Sequence, residues 1–319
     1  MRHRQLVRGL LLVGLAAILA MSGCARRKGP KLIVVIVPSQ DNPFFREEAE
    51  AAADRARQLG YPVRVEAHDD DSYKQDNLID MAIASNATAI ILDNAGADSS
   101  VAAVRRAEQA GIPCFLIDRA MNASGIAHAQ IISDNDQGAR LVAREFVNEM
   151  HGQGQYAELL GKESDTNAQI RTHGFHAVLD HFPNLTLVTA VSANWSQAEA
   201  YQKTETILEA HPEIRGIIAG NDTMALGAAA AVKNAGVANM RIVGFDGIPD
   251  ALESIRNGEM QATVLQPAAE IARVAVNEVD RFLKTGSTGL PEKQVVPCEL
   301  VTRANVAGFE GFAPKQPAQ

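Results

Sequence analysis

Six polar clusters recur along this chain, most of them directly after an apolar run: Ser39 to Asn42, Asp118-Arg119, Asn194-Trp195, Asn221-Asp222, Asp246-Gly247 and Gln266. Carboxylates and amide oxygens accept hydrogen bonds from hydroxyl groups, and guanidinium and amide N–H groups donate to them. Phe44 and Phe45, just after Asn42, and Trp195 offer flat faces that cover the C–H side of a ring. The set suits a small polyhydroxylated molecule. Each cluster has a plainer explanation: core packing for Phe44-Phe45, a local ion pair for Asp118-Arg119, helix capping for Asn221 and Asp246. Their recurrence at equivalent places is what favours a common ligand.

The elements that carry these clusters alternate. Leu32 to Val37 is an uncharged β-branched run, which suits a strand buried on both faces of a parallel sheet. Asn42 stands at an N-cap position and Pro43 at the first turn of the helix that follows. Strands are expected at 62–67, 89–92, 114–117 and 129–132, with helices at 72–85 and from an N-cap at Asp98 to Ala110. The rhythm repeats with strands at 156–160, 185–191, 216–219, 241–245 and 262–265. Helices follow at 169–181, 197–211, 223–234, 249–257 and 268–284. This pattern predicts an α/β protein of two doubly wound parallel-sheet lobes, with the polar clusters at the carboxyl ends of strands, where open sheets bind ligands.

A chain of 319 residues exceeds one comfortable core. Its formal charge of -8 argues against a nucleic-acid partner. Residues 1–23 read as an export signal: a basic start, an apolar stretch from Gly9 to Met21, then Ser22-Gly23-Cys24. The small residues before Cys24 are similar to a bacterial lipobox, which implies acylation of that thiol and a tether over 24–30. Cys114 and Cys298 sit in apolar contexts and read as buried free thiols. No Ser-His-Asp order, phosphate loop, His-x-x-x-His or Cys-x-x-Cys motif is present, so no enzyme, cofactor or metal is expected. Asp118 and Asp246 are the one pair that resembles a glycosidase set.

The chain resembles the ribose-binding type of periplasmic solute-binding protein, the sugar-capturing component of ABC importers, whose fold is shared with lactose-repressor effector domains. The resemblance rests on Asn42-Pro43-Phe44-Phe45, Gly111-Ile112-Pro113 leading to Asp118-Arg119, and Ser133-Asp134-Asn135. It continues through Gly220-Asn221-Asp222-Thr223, Val243-Gly244-Phe245-Asp246-Gly247 and Ala262 to Gln266. It implies a monosaccharide or short polyol held by Asn42, Phe44, Phe45, Asp118 and Arg119 from lobe one. From lobe two it implies Trp195, Asn221 and Asp246, with Gln266 at the hinge. Three crossings are implied, near Ser133-Asp134, Gln266-Pro267 and Pro297-Cys298. Lobe one is then 31–133 plus 267–297 and lobe two 134–266 plus 298–310, with 311–319 a disordered tail. The pattern departs at Asn167-Ala168-Gln169-Ile170-Arg171, where Gln169 takes the place of a ligand arginine, and Asn167, Gln169 and Arg171 all stay candidates. Pro38 replaces a small hydroxyl residue, which with Gln169 points away from ribose itself. The expected partner is an inner-membrane permease and the expected state a monomer in the periplasm or at the outer face of the cytoplasmic membrane. A ligand-presenting sensor for a chemoreceptor or kinase is the alternative.

Overall fold

A computed structural model describes residues 31–314; the export signal, Cys24, the tether and residues 315–319 lie outside the described residues. The first sheet has the order β11-β5-β4-β3-β1-β2, with β1 Ile33–Val37, β2 Val63–Ala67, β3 Ala89–Leu92, β4 Cys114–Ile117, β5 Ala129–Ser133 and β11 Lys293–Val296. All its strand pairs are parallel. The second sheet has the order β12-β10-β9-β8-β6-β7, with β6 Gly154–Leu160, β7 Leu185–Ser192, β8 Gly216–Ala219, β9 Arg241–Val243, β10 Ala262–Leu265 and β12 Glu299–Thr302. Only its edge strand β12 runs antiparallel.

Side chains alternate across a strand, so a strand covered on both faces must be apolar throughout. β1 shows this directly. Ile33, Val35 and Val37 enter the core under helices α1 (Pro43–Gln58) and α9 (Ala268–Thr285). Val34 and Ile36 enter the opposite core, under α2 (Ser72–Ala84) and α3 (Val101–Gln109). The second sheet is sandwiched likewise between α4 (Asn135–Glu149) with α5 (Thr166–Leu179), and α6 (Gln197–Ala210) with α7 (Asp222–Asn234) and α8 (Pro249–Asn257). Although α9 follows a strand of the second sheet, it packs on α1, where Tyr61 Oη donates to Asp280 Oδ1 (2.8 Å) and Arg55 Nε to Asn277 Oδ1 (2.7 Å). The chain thus passes between sheets after β5, after β10 and between β11 and β12.

Three local expectations need correction. Asp98 is not an N-cap: α3 starts at Val101 after a turn, and Asp98 Oδ1 instead accepts from Asn122 Nδ2 (3.0 Å). α5 starts at Thr166, a full turn before Gln169, because Asp165 caps it through Asn167 N–H (2.9 Å). Residues 311–314 are not a frayed tail. Ala313–Pro314 (β14) pairs with Phe309–Glu310 (β13), and Phe312 meets the edge of Phe44 with ring centroids 6.2 Å apart. Cys114 and Cys298 are buried free thiols, as expected.

Glu158 is a charged residue inside β6, next to the edge strand β7, and is 1% exposed. It is tolerated because Thr172 Oγ1 donates to it (2.7 Å) and His176 Nε2 lies 3.0 Å away, both from α5. The Glu158 hydrogen bond, working against burial and helped by Asp180, raises His176 to about 9. The fold therefore favours the imidazolium. That stabilisation is complete below the ordinary value of 6.5 and is lost as pH rises from there through about 9. The melting temperature of the wild type should fall across that window, and His176→Gln should flatten the fall; equal slopes would dissociate His176 from it.

Candidate functional site: a closed cavity between two lobes

The carboxyl ends of both sheets face each other, and a small polar cavity lies between them. Lobe one contributes Phe44, Phe45, Asp118 and Arg119. Phe44 and Phe45 stand edge to face at 5.6 Å on the first turn of α1, and the Arg119 guanidinium lies 5.0 Å above the Phe45 ring. Asp118 ends β4 at φ 55°, inside a three-residue turn closed by Arg119 N–H to Ile117 O (2.6 Å). Such a backbone costs on the order of 1–3 kcal/mol and persists where the surroundings hold it.

Lobe two contributes Asn167 and Arg171 from α5, and Trp195, Asn221 and Asp246 from the ends of β7, β8 and β9. Residues 167 and 171 are one helical turn apart and share a face. Arg171 Nε donates to Asn135 Oδ1 (2.7 Å) and Nη1 to Gly220 O (2.8 Å), with Asp246 Oδ1 at 3.4 Å and the Phe245 ring 3.9 Å below. Asn167 Nδ2 reaches across to Asp118 O (3.3 Å). Gln266, at the hinge after β10, donates to Asp246 Oδ1 (2.8 Å). Asn221 both lines the cavity and caps α7 through Met224 N–H (3.0 Å).

Trp195, at φ 64°, lies over Gly161 and Gly220; a Cβ on Gly161 would overlap the indole. Gly161→Ala must push the ring into the cavity or tilt it. Overpacking of this kind costs about 1–3 kcal/mol, so ligand affinity should fall about 10- to 100-fold while the fold survives. Unchanged affinity by calorimetry would show that the ring position is not used.

Two expected site residues stand elsewhere. Gln169 is exposed and lines a surface groove with Glu163 and His173, because it sits two positions from the 167/171 face of α5. Asn42 does not line the cavity: its side-chain oxygen caps α1 through Phe44 N–H (3.0 Å). Two carboxylates outside the six polar clusters also stand at the site. Asp165 lines the cavity with a carboxylate 2.9 Å from Arg119 Nε. Asp93, fully buried at the end of β3, lies 3.5 Å from the same Nε. Both follow strands, as the other clusters do, but neither carries the flanking aromatic or arginine that drew attention there.

The cavity is rich in carboxylates. Burial, against the lowering influence of Arg119, raises Asp118 to about 6. Burial likewise holds Asp93, Asp246 and the fully enclosed Glu48 well above the ordinary range. Buried beside them, Trp195 Nε1 and Gln266 Oε1 have no protein partner. A hydroxyl group carries both the lone pair that the indole N–H lacks and the proton that the amide oxygen lacks.

Paired lobes closing on a polar void at the carboxyl ends of parallel strands define a hinged solute-binding protein. The periplasmic binding protein domain pattern matches residues 33–287, and the chain belongs to that family. It is 55% identical over 282 residues to the D-apiose import binding protein of Paraburkholderia graminis, covering 88% of this chain and 90% of that one. It is 50% identical to the D-apiose import binding protein of Actinobacillus succinogenes over 283 residues, 88% of this chain and 91% of the relative. A solved ABC transporter solute-binding protein from Actinobacillus succinogenes with bound D-allose superposes with a TM-score of 0.82 at 28% identity, over 87% of this chain and 99% of that one.

Proposed function

We propose that this protein is the extracytoplasmic sugar-binding component of an ABC importer and that its sugar is D-apiose. The observation that carries the sugar reading is the cavity itself. Both walls supply hydrogen-bonding side chains and aromatic faces to one small space. The identity of 55% and 50% to two D-apiose import binding proteins supports the choice of sugar. D-apiose is a branched pentose that closes to a compact furanose ring bearing hydroxyls for both walls. The protein acts by binding alone: closure buries the sugar, and the permease reads the closed shape. Residues 1–23 direct export and Cys24 carries the lipid; palmitate labelling that persists in Cys24→Ser would overturn the anchor.

Calorimetric titration tests the ligand. D-apiose should bind one to one, with D-ribose and myo-inositol at least about a hundredfold weaker, because a misplaced hydroxyl leaves buried groups unpaired. Equal or tighter binding of D-ribose would overturn the choice of sugar. Binding of no sugar would overturn the function.

A further inference from the structure

We propose that Asp165 and Lys162 form a clasp that holds the two lobes together without help from the ligand, and that Asp165 also sets the position of Arg119 in the site. The proposal rests on the hinge-closing reading above but concerns a different set of contacts. On one side of the cavity the lobes touch directly. Ala97 N–H in lobe one donates to Ser164 O in lobe two (3.1 Å), and Lys162 Nζ donates to Asp70 O (2.7 Å), with Asp70 Oδ1 at 3.9 Å. Asp165 Oδ2 lies 2.9 Å from Arg119 Nε, and Arg119 Nη1 donates to Asp70 Oδ1 (2.6 Å).

The charges alternate. Lobe one presents the anion Asp70 and the cation Arg119, and lobe two presents the cation Lys162 and the anion Asp165, three residues apart. The turn between them is closed by Asp165 N–H to Lys162 O (3.0 Å), which fixes their spacing. Lobe two thus adds no net charge to a corner where Asp70, Asp93 and Asp118 already surround a single guanidinium. Asp165 and Arg119 are 4% and 2% exposed as side chains, so the pair forms where water screens it least.

Asp165 has two tasks that can be separated. One oxygen caps α5 through Asn167 N–H and the other meets Arg119. Asparagine caps a helix as well as aspartate does, so Asp165→Asn keeps α5 and removes only the ionic half. Lys162→Gln removes the other interlobe cation without touching the cavity lining.

The test is the distance distribution between spin labels on exposed positions of the two lobes, measured on the empty protein. The wild type should show a closed subpopulation that Asp165→Asn reduces at least about threefold and Lys162→Gln reduces less. For D-apiose, koff should rise about tenfold in Asp165→Asn while kon stays within about threefold, since loss of a buried charge partner acts mainly on dissociation. A wild type with no closed subpopulation when empty, or variants whose distributions match it, would overturn the clasp; Lys162→Gln keeps the test decisive if Asp165→Asn fails to fold. Should D-apiose fail to bind the wild type, the choice of ligand falls while the distance measurement still decides the clasp.

Discussion

Arg119→Ala should nearly abolish sugar binding and sharply lower stability. Its guanidinium faces Asp70, Asp93, Asp118 and Asp165 at 2.6, 3.5, 3.9 and 2.9 Å and also donates to Asn94 O (3.1 Å). Removing one partner of a buried ion pair costs about 3–5 kcal/mol, because the remaining charges are left without compensation. A loss of affinity of roughly a hundredfold to several thousandfold is expected from the same range. The pH dependence identifies the cause. Asp93 and Asp118 are already pushed up by burial, and Arg119 is the group that opposes it. Without Arg119 these carboxyls bind protons more tightly still in the folded state, so the gain in stability as pH falls from 7 to 5 should be steeper in the variant than in the wild type. Arg119→Lys restores the charge without the fork and should recover only part of either effect. A variant with wild-type melting and no pH signature would remove Arg119 from the centre of this charge web.

The second large effect is expected at a residue that does not line the cavity. Asp222 begins α7, and its Oδ2 accepts from Gly247 N–H (2.7 Å) and Ile248 N–H (3.0 Å) while Oδ1 accepts from Thr263 Oγ1 (2.6 Å). These bonds hold the turn that aims Asp246 into the cavity. The fit is close on every side: a Cβ on Gly247, at φ 77°, would meet Leu265 Cα at 2.7 Å. Asp222→Ala strands the Ile248 N–H and Thr263 Oγ1 donors and leaves Gly247 N–H only its longer bond to Thr263 Oγ1 (3.3 Å), each stranded donor costing about 1–3 kcal/mol. The melting temperature should drop by roughly 10 °C and affinity about a hundredfold as Asp246 loses its orientation. Asp222→Asn keeps two acceptor lone pairs and should lie between. If calorimetry of Asp222→Ala shows full affinity, the turn is held by other contacts.

How far the sequence could be read follows from which interactions are local. Ile33 to Val37 declares a doubly buried strand by composition alone, and both halves of the fold follow from repeating that pattern. Asp118, Arg119, Trp195, Asn221 and Asp246 were legible because each stands at a strand end beside a second unusual residue. Asn42 caps α1 through its oxygen, as Asn221 caps α7, but unlike Asn221 it does not line the cavity. The open choice among Asn167, Gln169 and Arg171 turned on where α5 begins. A start at Thr166 puts 167 and 171 on the cavity face and 169 outside, and the Asp165 cap that fixes this start is local. What no local pattern carried is Asp165 meeting Arg119 from the other lobe, or Asp93 beneath it. Those are long-range contacts between charges, and only the closed arrangement of the two lobes brings them together.

A crystal structure of the protein grown with D-apiose tests the account most directly. It should show one furanose in the interlobe cavity, covered by Trp195 and Phe45, with hydroxyls in hydrogen-bond reach of Asp118 and Arg119 from one wall and Asn221 and Asp246 from the other. Sugar held by one lobe alone, or seated in the groove beside Gln169 with the cavity occupied only by water, would contradict it.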